Sequence, residues 1–500
     1  MNALSWGKSS RWSCFVLAGI ILIAAGVRFY HLGRNSYWQD EFLSLENSSG
    51  NVTPLKSLPT NRLIVSPPHL TRLNRSASWP QLWRLPDGDL HPPLYFILLR
   101  FWREGFGDSE WVVRSFSAIA SVVALILFFL AMRLQSPMSV ALWATALLAV
   151  AGSQINASQN ARDYALWMML AFGAAYFMLR ILHRGFSWGG GITLGILTLA
   201  LLLTDYLAIF CIVSLLIYAA IAMRQKARLL TIAVFLVAFV LYLGIWGPEL
   251  LHISHFDTGW LTDRSAHPYW QTTLRIIELP LSSFSILGQS LLVAILFFVL
   301  LAAAIISARR DPQIIFWVIW FAPLIAAVIF ADLLHHSLML NFSRYTFVAS
   351  TAFCALVPVT SRHIFRRFCW VAPAALFCIA AGSIPWAFPL PTEWRDVARL
   401  FRQDVQPDDV IVYTGGNWNP SAPFSLFLGI NHYAPELPGK TLLLTDVHAP
   451  ITQVLPQTGH SVWMICYQTN LPPQAIFPNS RVVQAMVLPN IGRVAQLEAR

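Results

Sequence analysis

Eleven apolar runs, each near the length that a helix needs to cross a bilayer, constrain this chain more than any other feature. They fall near residues 13–30, 111–132, 139–155, 162–180, 188–204, 206–223, 229–247, 283–307, 313–331, 345–360 and 369–386. A hydrocarbon core about 30 Å thick takes roughly 20 helical residues to span. Inside lipid every backbone polar group must be satisfied within the protein, which favours helices. Composition agrees: of 500 residues, 56% are hydrophobic and 12% are charged, against roughly a quarter charged in soluble domains. The expected fold is therefore an α-helical polytopic membrane protein with about eleven transmembrane helices. Lys8 and Arg11 precede the first run as they would in a signal peptide. No small-x-small cleavage site stands before the polar HLGRNSYWQDE stretch, so this run reads as an uncleaved span.

Loop charges set the expected topology. The net charge of +10 would suit nucleic acid only if it were gathered on one face; here Lys and Arg punctuate the apolar runs, so no nucleic-acid partner is expected. With the N-terminus inside, the short inner segments hold thirteen of them, among them Arg133, Arg180, Arg224, Arg309 and Arg362. The short outer loops hold four: Arg162, Arg264, Arg275 and Arg344. The apolar HPPLYFILLRFW segment at 91–102 is too short to cross, and counting it as a span would reverse the later loops and abolish the bias. It reads as a helix lying in or dipping into the interface. An odd number of spans puts the C-terminus outside.

This divides the chain into a transmembrane domain, 1–386, and a soluble tail, 387–500. The first outer loop, 31–110, and a further one, 248–281, belong to the former. In the tail, TEWRDVARLFRQDV has apolar residues at helical spacing, and DDVIVYTG, KTLLLTD, SVWMICY and RVVQAMVL are strand-like, so a small α/β domain is expected. Gly415-Gly416 makes no phosphate-cradling motif. Cys14, Cys211, Cys354, Cys369 and Cys378 lie in or beside apolar runs, with Cys466 apart in the tail, and show no disulfide framework.

Residues able to carry chemistry gather at the expected outer ends. Asp40-Glu41 follows Tyr37-Trp38, an aromatic pair suited to anchoring at the interface, and a carboxylate there can accept a proton from an attacking hydroxyl. By position alone, the pair fits a solvated loop better than a catalytic site. His91 precedes Pro92-Pro93, which fix an extended turn and could aim it or simply pack it. Arg162-Asp163-Tyr164 and Arg344-Tyr345 enter later spans from the same side, where a cation can bind phosphate or snorkel. Asp205 and Asp332 read as ordinary loop acids.

The order of R-F-Y-H-L-G…S-Y-W-Q-D-E at 28–41, H-P-P-L-Y-F at 91–96, F-G-D-S-E…V-R-S-F-S-A at 106–118, S-Q-N-A-R-D-Y at 158–164, S-R-Y at 343–345 and E-W-R-D-V-A at 393–398 resembles the bacterial relatives of the protein O-mannosyltransferases and aminoarabinose transferases, the GT-C glycosyltransferases. The resemblance is dense over 28–180 and sparse beyond. It implies a GT-C fold and inverting transfer of a sugar from a polyprenyl-phosphate donor to a protein, lipid A or polysaccharide acceptor. Asp40 would be the catalytic base and Glu41 its catalytic support. Arg162, Arg344 and Tyr345 would neutralise the departing phosphate, while His91, Tyr95 and Asp163 position substrate. His91 stands where lipid-A-modifying relatives carry a lysine, so aminoarabinose is not implied as the sugar.

No cofactor is predicted. A divalent metal is left open, because Glu41, His91, His252, His255 and His267 offer ligands without the spacing of a metal site. Two other classes compete with the enzyme reading. A transporter or flippase of lipid-linked sugars predicts ionisable groups in mid-span, and a membrane scaffold leaves the acidic pair without a task.

Overall fold

A computed structural model describes residues 9–50, 57–73, 78–83, 91–253, 269–286, 291–334, 337, 339–416, 422–450, 460–467, 472–489 and 491–499. Packing divides the chain into two compact units: Met1–Leu32 with Arg114–Pro389, and Gly33–Val113 with Leu390–Arg500.

The first unit is helical, and each of the eleven apolar runs holds a helix or a bent helix pair. Among the described residues, six helices are long and apolar enough to cross a membrane: Arg11–Phe29, Glu110–Gln135, Tyr164–Arg184, Gln225–Leu251, Pro312–Leu334 and Phe347–Phe368. Met138–Val150 and Gly152–Ser158 form a pair bent by 59°. Trp188–Leu202, Ala208–Ala222, Leu291–Ser307 and Val371–Gly382 are apolar but shorter, below the roughly 20 residues of a full crossing. Leu236, Val240, Leu296 and Leu300 are each more than half exposed, which suits a lipid-facing surface and would be a liability in water. Inward faces close on aromatic rings. Phe128 lies 5.0 Å from Phe172 and 5.3 Å from Trp317, and Phe172 stacks on Trp320 at 5.6 Å.

Contacts between helix ends fall into two sets, each joining segments that the charge pattern assigns to one side. Ser136 bonds Gln313, Tyr218 bonds the Pro312 carbonyl and His363 bonds Asp311, gathering segments expected inside. Gln159 bonds the carbonyls of Val27, Arg28 and Tyr30, and Asn156 that of Ala387, gathering segments expected outside.

The second unit is built on one six-stranded sheet: β1 (Leu63–Ile64), β2 (Val410–Thr414), β3 (Lys440–Leu444), β4 (Val462–Cys466), β5 (Ser480–Leu488) and β6 (Gly492–Ala499), in the order β1-β3-β2-β4-β6-β5. β3, β2 and β4 are parallel, while β1, β6 and β5 join antiparallel. β2 and β4 are buried at every residue, as befits parallel strands covered on both faces. One face packs Val412, Leu442, Met464 and Leu497 together. The other meets the helices Trp394–Asp404 and Ala422–Tyr433, through Phe401 on Trp463 at 5.3 Å and Phe427 on Tyr413 at 5.7 Å. Gly429 permits close approach of these helices, since a Cβ there would lie 2.6 Å from the Trp394 ring.

β1 comes from the first loop, not the tail. Asn61, in the left-handed region at φ 55°, donates its N–H to the Leu443 carbonyl and accepts from Thr445 and Asp446 through its side-chain oxygen. Its short amide tolerates that backbone and fixes the register of β1 on β3.

Candidate active site

Asp40 and Glu41 open the helix Gln39–Ser49, whose N-cap is Trp38 in extended conformation. Glu41 Oε2 accepts the Trp38 N–H at 3.0 Å, one half of a capping box. That bond, with complete burial, commits Glu41 to holding the helix start. Asp40 is half-buried in the same turn, where the helix dipole favours an anion.

The helix Leu94–Phe106 supports this one through two arginines that do not announce themselves in the sequence. Arg103 is 1% exposed. It pairs with Asp108 at 2.6 Å and donates to the Leu45 carbonyl at 2.8 Å, Ser48 Oγ at 2.6 Å and the Thr71 carbonyl at 2.6 Å. Arg100 lies over the Trp79 ring at 4.6 Å and donates to Glu104. His91 is half-buried before the buried Pro92-Pro93, and Pro93 caps the helix. Tyr95 is fully buried, edge-on to Phe96 at 5.8 Å.

Tail side chains complete the surroundings of the Asp40 helix. Tyr433 donates its hydroxyl to Glu110 and accepts the Tyr37 N–H at 2.8 Å. Burial, then the Glu110 carboxylate, pushes its phenol up, so it stays a donor. His432 bonds Thr71 at 2.8 Å. Burial, then the charges of Arg103, Arg72 and Arg395, lowers its pKa to about 3, so the ring is neutral.

In the helical unit, Arg162, Asp163 and Tyr164 stand at the start of Tyr164–Arg184. Arg162 Nε lies 3.9 Å from Asp163 Oδ1, both side chains are buried, and the guanidinium sits 5.9 Å from the Tyr164 ring centroid. Among the described residues neither Asp163 oxygen has a hydrogen-bond partner. The carboxylates of Asp163 and Asp205 come within 4.8 Å; such a pair can hold a cation. Arg344 and Tyr345 lie in the turn Ser343–Tyr345, with the guanidinium 4.8 Å from Phe342 and 5.3 Å from Tyr345. Asp332 organises the approach to that turn, accepting from Ser337 Oγ, Met339 N and Leu340 N. Tyr164 and Trp167 pack on Phe347 at 5.6 and 5.3 Å, and Gln154 donates to its carbonyl. The two arginine motifs are thereby tied to a common residue. His255, Asp257, Asp263, Arg264 and His267 lie outside the described residues, and the His252 side chain is likewise not described.

The fold is that of the GT-C class of membrane glycosyltransferases. Residues 90–252, which include His91, Tyr95, Arg162 and Asp163, match the family model of dolichyl-phosphate-mannose-protein mannosyltransferases. ArnT from Cupriavidus metallidurans in the apo state is similar over 98% of this chain and 98% of its own, at 13% identity and a TM-score of 0.58. ArnT bound to undecaprenyl phosphate aligns with the same coverage, at 14% identity and a TM-score of 0.56. The apo oligosaccharyltransferase of Archaeoglobus fulgidus aligns over 90% of this chain and 66% of its own, at 14% identity and a TM-score of 0.52. This chain thus spans just under two thirds of that protein's length. No curated protein sequence matches.

Proposed function

We propose that the protein is a glycosyltransferase of the outer face of a bacterial cytoplasmic membrane, moving a sugar from a polyprenyl-phosphate donor to an extracytoplasmic hydroxyl. Asp40 is the general base. It takes the acceptor proton as the oxygen attacks the anomeric carbon, and the bond to the lipid phosphate breaks with inversion. The leaving phosphate is a stable anion, so its departure requires charge stabilisation more than a strong acid. Arg162 and Arg344 supply that charge, Tyr345 flanks Arg344, and His91, Tyr95 and Asp163 are assigned to substrate positioning.

The observation that carries this reading is the division of labour in one helical turn: Glu41 is buried and engaged in the cap, which leaves Asp40 as the half-exposed acid on a fixed backbone. The similarity to an ArnT structure that holds undecaprenyl phosphate supports the donor class. The test is transfer by purified protein from a panel of undecaprenyl-phosphate sugars to hydroxyl acceptors. General bases contribute about 10²–10⁴-fold, so Asp40→Asn should lose at least about a hundredfold in kcat while retaining undecaprenyl phosphate binding. An Asp40→Asn protein as active as the native one ends this mechanism.

A further inference from the structure

Resting on that reading, we infer that the tail sets the working position of Asp40, with Arg395 and Tyr433 as positioning residues acting through the segment 33–39.

Residues 33–38 form a turn and an irregular stretch before the Asp40 helix. Backbone groups outside helices and strands need partners from elsewhere, and the tail supplies them almost residue by residue. Arg395 Nη2 donates to the Gly33 carbonyl at 3.0 Å and the Asn35 carbonyl at 3.3 Å, and Nη1 to that of Arg34 at 2.9 Å. The Arg395 N–H reaches Ser36 Oγ at 3.3 Å, and Thr392 Oγ1 donates to the carbonyls of Ser36 and Tyr37 at 2.9 and 3.2 Å. Tyr433 accepts the Tyr37 N–H, and Gln39 bonds Ser425. Asp40 is the next residue.

Glu110 keeps the clamp in register. Its Oε1 accepts from Arg395 Nη2 at 2.6 Å and Nε at 2.9 Å and from the Tyr433 hydroxyl at 3.1 Å. One carboxylate oxygen therefore orients both tail side chains, and the planar fork of Arg395 spreads to three successive carbonyls. An ammonium has no such fork, so lysine can keep the ion pair but not all the carbonyl bonds. Rings below close the other side: Phe42 of the Asp40 helix lies 6.1 Å from Trp394 and 6.0 Å from Tyr433.

The test is amide hydrogen exchange on the full chain in detergent, comparing peptides over 33–50 with those over β2 and β4. Transfer kinetics from undecaprenyl-phosphate sugars are measured on the same preparations. Arg395→Gln and Tyr433→Phe should speed exchange over 33–42 about tenfold or more while β2 and β4 keep their protection. In transfer, kcat should fall at least about tenfold with donor KM within about twofold, because a misplaced base spoils attack geometry and not donor binding. Arg395→Lys should recover part of both losses. Unchanged exchange over 33–42, a parallel rise in β2 and β4, or unchanged kcat despite faster exchange each overturns the inference. If exchange rises selectively and the native protein transfers none of the sugars, the proposed reaction falls and the tail's hold on the Asp40 helix stands.

Discussion

A buried arginine in a membrane-embedded unit needs a reason, and Arg28 has one in the break of a helix. The bend after Val150 stops the ladder that would satisfy the last carbonyls of Met138–Val150. Arg28, fully buried, donates to the Ala149 carbonyl at 3.0 Å, to Ala24 O at 3.2 Å and to Ser121 Oγ at 2.8 Å, with Leu148 O at 3.5 Å. Gly152, beside the break, admits Ser285: a Cβ there would lie 1.8 Å from Ser285 Oγ. Leaving a buried acceptor unmet costs about 1–3 kcal/mol. Arg28→Met should therefore lower the melting temperature in detergent by several degrees, with Arg28→Lys falling between the two. A melting curve unmoved by Arg28→Met refutes the capping role. In the sequence Arg28 was visible only as part of the R-F-Y-H-L-G motif, since nothing local says that a break lies 120 residues away.

At the scale of elements, the helix Ala422–Tyr433 brings a titration into the unit that holds Asp40. His432 touches Tyr37 at 5.3 Å and Phe42 at 5.6 Å, facing Arg103, Arg72 and Arg395. Its pKa falls from an ordinary 6.5 to about 3 in the fold, so between those values the unfolded chain binds the proton and the folded one does not. Stability from this group is complete above about pH 6.5 and drains away as pH falls toward 3. Thermal melting across that window should show a steep acid loss in the native chain and a shallower one in His432→Gln; equal slopes would refute it. This helix, APFSLFLGINHY, is apolar nearly all round and carries no 3.6-residue period, which hides it from sequence reading. The segment Trp394–Asp404 was legible because its apolar residues recur at helical spacing on one buried face, and strands β2 to β5 because each is a short run rich in β-branched and other apolar residues. β1, two residues long, offers no pattern.

At the scale of the whole molecule, the sequence set two long polar segments apart from the apolar runs but did not show that they fold together. Local periodicity reports a buried face and is silent about what covers it. Leu63 pairs with Leu442 and Ile64 with Thr441, contacts made across the entire Arg114–Pro389 stretch. The Asp40 helix likewise leans on residues 392–433 for hydrogen bonds and for the rings around Phe42. A chain ended at Pro389 would keep its apolar helices but strip β1 of its partner strand and residues 33–37 of the backbone bonds that Thr392, Arg395 and Tyr433 make to them. Phe42 and Tyr37, fully buried in the intact unit, would lose Trp394, His432 and Tyr433, and an exposed aromatic cluster with unmet backbone groups does not hold one conformation. Limited proteolysis of membranes should then cut residues 33–113 of the truncated chain at least about tenfold faster than those of the intact chain, since cleavage follows the opened population. Cleavage at equal rates would mean that the loop folds without the tail, and the tail would have to be explained by something other than the support of Asp40.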